Sequence, residues 1–182
     1  MILENKLTRI FVAFPVPDEI ATLFSTYINR FQDLIGVRWT KPGNLHLTLF
    51  FIGEVEPANI VHVIEALQPI EKNRKSFTLL FEKITFRGKV HQPGMIWAQF
   101  EKSEEFSRIS SQLHEVSKRF MTIVPQHLDP IPHITLARLK KGAEISKIRE
   151  EEFSFPQNLL IDKMELWKTV QTSEGVLYEK IA

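Results

Sequence analysis

The stretch Leu45 to Ile52, LHLTLFFI, decides the fold. Successive side chains of an extended strand alternate between faces, so His46 and Thr48 share one side while Leu47 and Leu49 share the other. The aliphatic pair suits a core and the polar pair suits a groove. The pattern returns at His133-Ile134-Thr135-Leu136. Two such strands side by side would bring two imidazoles and two hydroxyls to one site.

The flanking sequence supplies the rest of an α+β chain. Arg9 to Phe14 (RIFVAF) is a β-rich run closed by Pro15 and Pro17. Ile20, Leu23, Phe24, Tyr27, Ile28, Phe31, Leu34 and Ile35 recur as one face of an amphipathic helix. Asp18 and Glu19 suit its first turn, and Gly36 reads as its C-cap. Pro42-Gly43-Asn44 is a turn, the first motif strand ends at Gly53, a helix follows from about Pro57 to Leu67, and Phe77 to Phe86 is a long strand. The second half repeats the order. Met95 to Phe100 is a strand, and Phe106, Ile109, Leu113, Val116 and Phe120 form a helix face. The second motif strand is closed by Lys140-Lys141-Gly142. A short charged helix around Glu144 to Glu151 and strands near Leu159 to Val170 and Val176 to Ile181 complete the chain.

The register of this repetition is regular. Ile10 and Ile96, Phe14 and Phe100, Ile20 and Phe106, Leu23 and Ile109, Tyr27 and Leu113, and Leu34 and Phe120 each lie 86 residues apart. The motif histidines lie 87 apart, and Glu82-Lys83-Ile84 precedes Asp162-Lys163-Met164 by 80. The sequence therefore predicts a single bilobal domain over residues 1–182, built by internal duplication from intertwined halves of about 8–90 and 94–182. A duplicated unit implies a pseudo-twofold with a groove on the axis. One His-Thr pair from each lobe would face that groove.

Composition narrows the chemistry. The chain of 182 residues is 43% hydrophobic and 25% charged, ordinary for a globular protein. With a net charge of +1, any nucleic-acid contact must come from a local patch. The absence of cysteine excludes disulfides and thiolate catalysis and suits a reducing cytoplasm, the expected location. Neither a signal peptide nor an apolar run of ~18 residues is present, so no membrane is expected. Nothing in the sequence demands a partner subunit, and a monomer is expected. His46 and His133 lack neighbours at metal-ligand spacing, no Gly-x-Ser-x-Gly elbow or phosphate-binding glycine loop occurs, and no metal or cofactor is expected. His62, His91, His114 and His127 read as solvated or locally bonded side chains on helix surfaces and loops.

Two imidazoles flanking an anion point to phosphodiester cleavage, one ring taking a proton from water and the other giving one to the leaving oxygen. Threonine hydroxyls can donate to the nonbridging oxygens. Strict alternation places Phe50 on the groove face and Phe51 on the aliphatic face. Trp39, Phe50 and Phe51 are candidate base-stacking aromatics.

The segments 9–20, 37–55, 94–100 and 132–140 together resemble the two-histidine phosphoesterase superfamily, and within it the prokaryotic RNA 2′,3′-cyclic phosphodiesterases, also named 2′-5′ RNA ligases. That resemblance covers nearly the whole chain. It implies two pseudo-symmetric lobes, each an antiparallel sheet flanked by helices, around a central groove. It also implies metal-independent hydrolysis of an RNA terminal 2′,3′-cyclic phosphate, on a tRNA-like or oligonucleotide substrate, to a 2′-phosphomonoester, with reverse 2′-5′ ligation as a second activity. By analogy His46 is the proton donor, His133 the proton acceptor, and Thr48, Thr135 and Arg138 bind substrate. Alternation turns Arg138 away from His133, so its role requires a bulge or a strand end. The family's Pro-Arg before the strand at Met95 is Pro93-Gly94 here, which leaves Arg87 or Lys89 to replace the arginine, and Lys140 and Lys141 as further cations for the groove mouth. The rival readings are a phosphodiesterase for small cyclic nucleotide or ADP-ribose phosphates and a non-catalytic RNA- or nucleotide-binding module.

Overall fold

The computed structural model describes residues 7–126, 128, 130–148, 158–173 and 175–182. Strands are β1 (Thr8–Pro15), β2 (Val37–Trp39), β3 (His46–Val55), β4 (Phe77–Lys89), β5 (Gln92–Phe100), β6 (His133–Leu139), β7 (Asn158–Ile161), β8 (Glu165–Thr172) and β9 (Gly175–Lys180). Helices are α1 (Asp18–Asn29), α2 (Ile60–Asn73) and α3 (Glu104–Ser117). Among the described residues the strands form one sheet in the order β7-β4-β5-β6-β3-β1-β8-β9, with β2 beside β6. Every pairing is antiparallel. The order reads the same backwards when β1 is exchanged with β5, β3 with β6, β4 with β8 and β7 with β9. The centre of that exchange lies between the two motif strands, which are joined by a single pair, Leu47 with Ile134.

The helices cover one face. Phe24, Tyr27, Val63, Leu67, Phe106, Ile109 and Leu113 pack there on Ile10, Val12, Phe14, Leu47, Leu49, Ile134 and Leu136. These strand residues are the inward set that the motif alternation predicts. Ser103 caps α3 by accepting from the Phe106 N–H at 3.3 Å, and Glu104 and Glu105 follow in the first turn. The other face carries a small apolar floor of Phe11, Ala13 and Trp167 with Tyr178 against it.

Several boundaries differ from the sequence reading, each for a local reason. α1 stops at Asn29, and Phe31 and Leu34 reach the core from turns instead. Gly36 is therefore not the helix cap. It has φ +79°, and a Cβ there would meet the Ala143 Cα at 2.9 Å, so the approach of the 140–144 loop requires glycine. α2 runs past Leu67 and through Pro69, carried by the packing of Leu67 and Ile70. Gly53 lies inside β3 rather than after it. The strand expected over Leu159 to Val170 breaks at 162–164 into β7 and β8, which sit towards opposite ends of the sheet order. Over Glu144 to Ile148 the chain makes turns, not a helix, and residues 149–151 of that expected helix lie outside the described residues, as does His127. The ladder also shifts the repeat register. Ala13 faces Thr48 and Trp97 faces Thr135, so β1 and β5 correspond at 84 residues rather than 86, an even shift that keeps each side chain on its face.

Two bulges matter most. In β3, Val12 of β1 faces Phe50 and Ala13 faces Thr48, so Leu49 is an extra residue. In β6, Ile96 of β5 faces Ala137 and Trp97 faces Thr135, so Leu136 is extra. Each bulge puts two consecutive residues inward, Leu49 with Phe50 and Leu136 with Ala137. The residues that follow change face, in β3 as far as the second register shift between Ile10 and Phe11. Phe51 and Arg138 turn outward to the groove, each five residues after its histidine.

Candidate active site

The groove lies on the open face of the sheet, at its centre, and has a volume of about 500 Å³. His46, Thr48, His133, Thr135 and Arg138 all line it, so the five sequence candidates meet in one place. Arg138 reaches it through the Leu136 bulge, which supplies what strict alternation does not. Phe50, expected in the groove, is buried in the core beside His114, while Phe51 lines the groove at 48% exposure. Trp39 packs on the core, with its indole N–H donating to the Phe31 carbonyl at 3.0 Å.

Both histidines are held the same way. His46 Nδ1 lies 2.7 Å from the Asn44 carbonyl and His133 Nδ1 lies 2.7 Å from the Ile131 carbonyl. A carbonyl only accepts, so each Nδ1 carries the proton and donates. In the neutral ring that leaves Nε2 as the free lone pair, available to the groove. Each carbonyl stands two residues before its histidine, so the strand entry itself fixes the tautomer.

Their surroundings differ. The His46 ring sits in a box of Phe11 at 5.0 Å, Tyr178 edge-on at 4.7 Å and Trp167 at 5.7 Å. Burial pushes its pKa down to about 4; the Asn44 carbonyl opposes this, and the charges of His133 and Arg138 add to it. His133 instead stacks on Trp97, ring centroids 3.5 Å apart at 16°. Burial lowers its pKa too, against the Ile131 carbonyl and with help from Arg87. The Arg87 guanidinium lies 4.9 Å from the Trp97 ring, a cation–π contact that places it at the site. Of the other candidate cations, Lys89, Lys140 and Lys141 do not line the groove. Arg9 and Arg38 do, and no sequence pattern selects them.

Asn44 reads in the sequence only as a turn residue. It is buried, its side-chain N–H₂ donates to the Val176 carbonyl at 2.9 Å, and its Oδ1 accepts from the Tyr178 N–H at 3.2 Å. One residue thus ties β9 to the mouth of β3 and orients both Tyr178 and His46. Beneath the aromatic box, Glu165 is buried and accepts from Trp167 at 3.1 Å and Lys180 at 2.9 Å. Burial raises its pKa, but these hydrogen bonds outweigh it and hold the carboxyl below its usual range. Phe11 and Trp97, the aromatics against the two histidines, are not equivalent in the ladder, where Trp97 corresponds to Ala13 and Phe11 to Met95. No pattern signals Asn44, whose partners lie 132 and 134 residues away.

The remaining histidines stand apart. His62 is exposed near Glu65, and His91 is exposed. His114, expected on a polar helix side, is instead largely buried against Phe50, with Nε2 unpaired among the described residues.

Residues 14–97 match the family model described as LigT-like phosphoesterase. An RNA 2′,3′-cyclic phosphodiesterase of Thermotoga maritima is 25% identical over 174 residues, covering 94% of this chain and 91% of that protein. Proteins of the same name from Aquifex aeolicus and Archaeoglobus fulgidus are 24% and 26% identical, covering 95% of this chain in each case and 94% and 97% of theirs. Over those residues the chain is similar to the LigT-like phosphoesterases. Solved structures agree on the fold. TT0787 of Thermus thermophilus superposes with a TM-score of 0.80 at 21% identity, over 96% of this chain and 95% of that one. E. coli LigT complexed with ATP gives 0.74 at 20% identity, over 97% and 96%. The chain is thus an α+β enzyme with its paired histidines on the open face of an antiparallel sheet. No helix among the described residues is long and apolar enough to cross a membrane.

Proposed function

We propose that this enzyme hydrolyses the 2′,3′-cyclic phosphate at the end of an RNA to a 2′-phosphomonoester, without a metal ion. The observation that carries the reading is the paired Nδ1–carbonyl lock, which leaves two imidazole Nε2 atoms for one groove. His133 takes a proton from water, the water oxygen attacks phosphorus, the bond from phosphorus to O3′ breaks, and His46 gives its proton to O3′. Each proton transfer contributes roughly 10²–10⁴-fold. Thr48 and Thr135 donate to the nonbridging oxygens, and Arg138 draws the anion into the groove. With a 5′-hydroxyl in place of water the same steps form a 2′-5′ linkage. The relatives named RNA 2′,3′-cyclic phosphodiesterase support the substrate class.

The depressed pKa of His46 sets a condition on this cycle. In the empty groove near neutral pH the ring is uncharged. An arriving phosphate offsets the positive field of Arg138 and favours the imidazolium, so the substrate's own charge loads the acid. The decisive experiment is hydrolysis of an oligoribonucleotide ending in a 2′,3′-cyclic phosphate, in EDTA, by wild type, His46→Ala and His133→Ala, with the product mapped. A 2′-phosphate made by wild type alone is expected; a 3′-phosphate, loss of turnover in EDTA or an active histidine variant refutes the reading. The two roles separate on a p-nitrophenyl phosphodiester, whose leaving group needs no proton. Loss of the acid is then partly rescued and loss of the base is not, so rescue of His133→Ala instead would exchange the assignments. Purified enzyme eluting at the mass of one chain, 21.2 kDa, would fit the proposed monomer.

A further inference from the structure

Three neighbouring strands, β4, β5 and β6, bring Arg87, Trp97 and His133 together. Trp97 is paired with Thr85 on one side and with Thr135 on the other. Arg87 stands two residues beyond Thr85, and His133 two residues before Thr135. All three side chains therefore share the open face, and both flanking ones are diagonal neighbours of the indole, within reach of long and aromatic side chains. The contacts follow from that register. The imidazole stacks on the indole at 3.5 Å between centroids, and the guanidinium lies 4.9 Å from the ring centre. Among the described residues no carboxylate lies within ion-pair distance of Arg87, and the Trp97 indole N–H has no partner. Trp167, the indole against His46, is held the opposite way: its N–H donates to the Glu165 carboxylate at 3.1 Å. The ring behind the proposed base thus carries an unpaired cation. The ring behind the proposed acid carries an anion that Lys180 and Lys163 balance.

The place of Arg87 also differs from that of Arg138. Arg138 lines the groove and its charge acts at His46. Arg87 lines an adjoining pocket of about 460 Å³ with Phe51, Trp97, Leu128 and His133, and its charge acts at His133. At that imidazole burial is the largest effect and lowers the pKa, the Ile131 carbonyl opposes it, and Arg87 lowers it further. The other charged or titratable groups towards His133 are His46, Arg9, Arg38 and Arg138 around the groove. On β4 there is also Glu82, which accepts at 2.7 Å from Gln99, the ladder partner of His133, and is itself paired with Lys83 at 2.8 Å. A bound phosphate favours the protonated form of every imidazole near it. The proposed cycle needs that at His46 and is stopped by it at His133. A cation held against the Trp97 ring opposes it on the side where opposition is needed.

We propose that Arg87 is a positioning residue for the base: held on Trp97, its guanidinium keeps the stacked His133 imidazole unprotonated while the substrate phosphate is bound. This rests on the proposed function and deepens it, since it says what separates the two histidines once one anion lies between them.

The test compares wild type, Arg87→Gln and Arg87→Lys by two readouts. The first is the His133 Cε1–H resonance, titrated by NMR without and with inorganic phosphate, with His133→Gln fixing the assignment. Its midpoint should move to higher pH in Arg87→Gln, return towards the wild-type value in Arg87→Lys, and leave the His46 midpoint in place. The second is kcat/KM against pH on an oligoribonucleotide ending in a 2′,3′-cyclic phosphate. With less of the base unprotonated in acid, Arg87→Gln should lose about threefold or more extra activity at about pH 5.5 than at about pH 8, and Arg87→Lys should largely reverse this. A merely structural role predicts an equal loss at every pH. An unmoved His133 midpoint in Arg87→Gln overturns the proposal, and so does an equal loss across pH. A drop in the salt dependence of KM by close to one phosphate contact, with the acidic limb unmoved, also overturns it and makes Arg87 a substrate ligand. No turnover by wild type, with the His133 midpoint still displaced in Arg87→Gln, overturns the phosphodiesterase reading and leaves the coupling of Arg87 to His133 in place. No turnover and no displacement overturn both.

Discussion

The two sides of the groove start from the same His-aliphatic-Thr-Leu pattern and end in different surroundings. On both, a histidine enters its strand with Nδ1 locked to the carbonyl two residues back, a threonine follows on the same face, and a bulge comes next. Around His46 the neighbours are aromatic and the ring is boxed. Around His133 they are one flat indole with Arg87 beside it, while Arg138, on the same strand beyond the bulge, adds its charge at His46. At the fifth position after the histidine the first side presents Phe51 and the second presents Arg138. The symmetric strand order thus fixes where the two motifs stand, while what surrounds them differs. The proposed acid and base must differ in proton affinity, and unequal burial with unequal neighbouring charge would give one motif pattern those two roles.

Removing either imidazole is the strongest way to break this comparison. His46→Ala and His133→Ala should each cost about 10²–10⁴ in kcat with the fold retained, measured by turnover beside circular dichroism. A variant within about tenfold of wild type would leave the site with one working histidine.

The unequal proton affinities can be read from stability. His46 has its pKa lowered from 6.5 to about 4 in the folded chain. Between those values the unfolded chain binds the proton and the folded chain does not, so stability is complete above pH 6.5 and falls as pH drops toward 4. The loss is on the order of 3 kcal/mol. Urea titrations of wild type and His46→Gln across that window should show a steeper decline for wild type. Parallel declines would place the imidazole outside its aromatic box. His133 shifts in the same direction, so a shallower contribution in the same sense is expected from His133→Gln.

Asn44 sharpens the contrast because its counterpart 87 residues on is Ile131, which has no side-chain hydrogen bond to give. Asn44→Ala strands the Val176 carbonyl and Tyr178 N–H and should cost about 1–3 kcal/mol in chemical denaturation. It should also lower kcat without changing the slope of the His133 limb of the pH profile. An unchanged denaturation midpoint would mean the tie between β3 and β9 is idle.

The smallest effects belong to the hydroxyls. Thr48→Ala and Thr135→Ala each remove one neutral hydrogen bond to phosphate, about 1 kcal/mol or roughly fivefold in kcat/KM. Matching losses would mean the hydroxyls share the load evenly across the groove. A loss confined to one would make the phosphate grip as one-sided as the histidine environments.

Much of this is legible in the sequence because it depends on period. The alternation in His46 to Leu49 and His133 to Leu136 fixes both histidines, both threonines and the inward aliphatics. Helix faces around Tyr27 and Leu113 are legible for the same reason. What resists reading breaks period or spans distance. The Leu49 bulge reverses Phe50 and Phe51, since an extra residue inverts the assignments that follow it in a period-two strand until the next register shift. α1 ends before its apolar face does, because Phe31 and Leu34 can reach the same core from turns. Asn44, Arg38 and the Trp167 wall are invisible to local pattern, as their neighbours come from strands that only the fold brings together.

The paired bulges also bear on how the chain length of this fold can drift. Elsewhere in a paired strand, losing one residue turns the remainder inside out. At Leu49–Phe50 or Leu136–Ala137 two neighbours already point inward, so losing one of them leaves Phe51 or Arg138 facing outward as before and simply straightens the ladder. Each motif strand therefore contains a joint where a codon can vanish without inverting the protein. Sequences related to this one can differ by a residue there and still present the same groove.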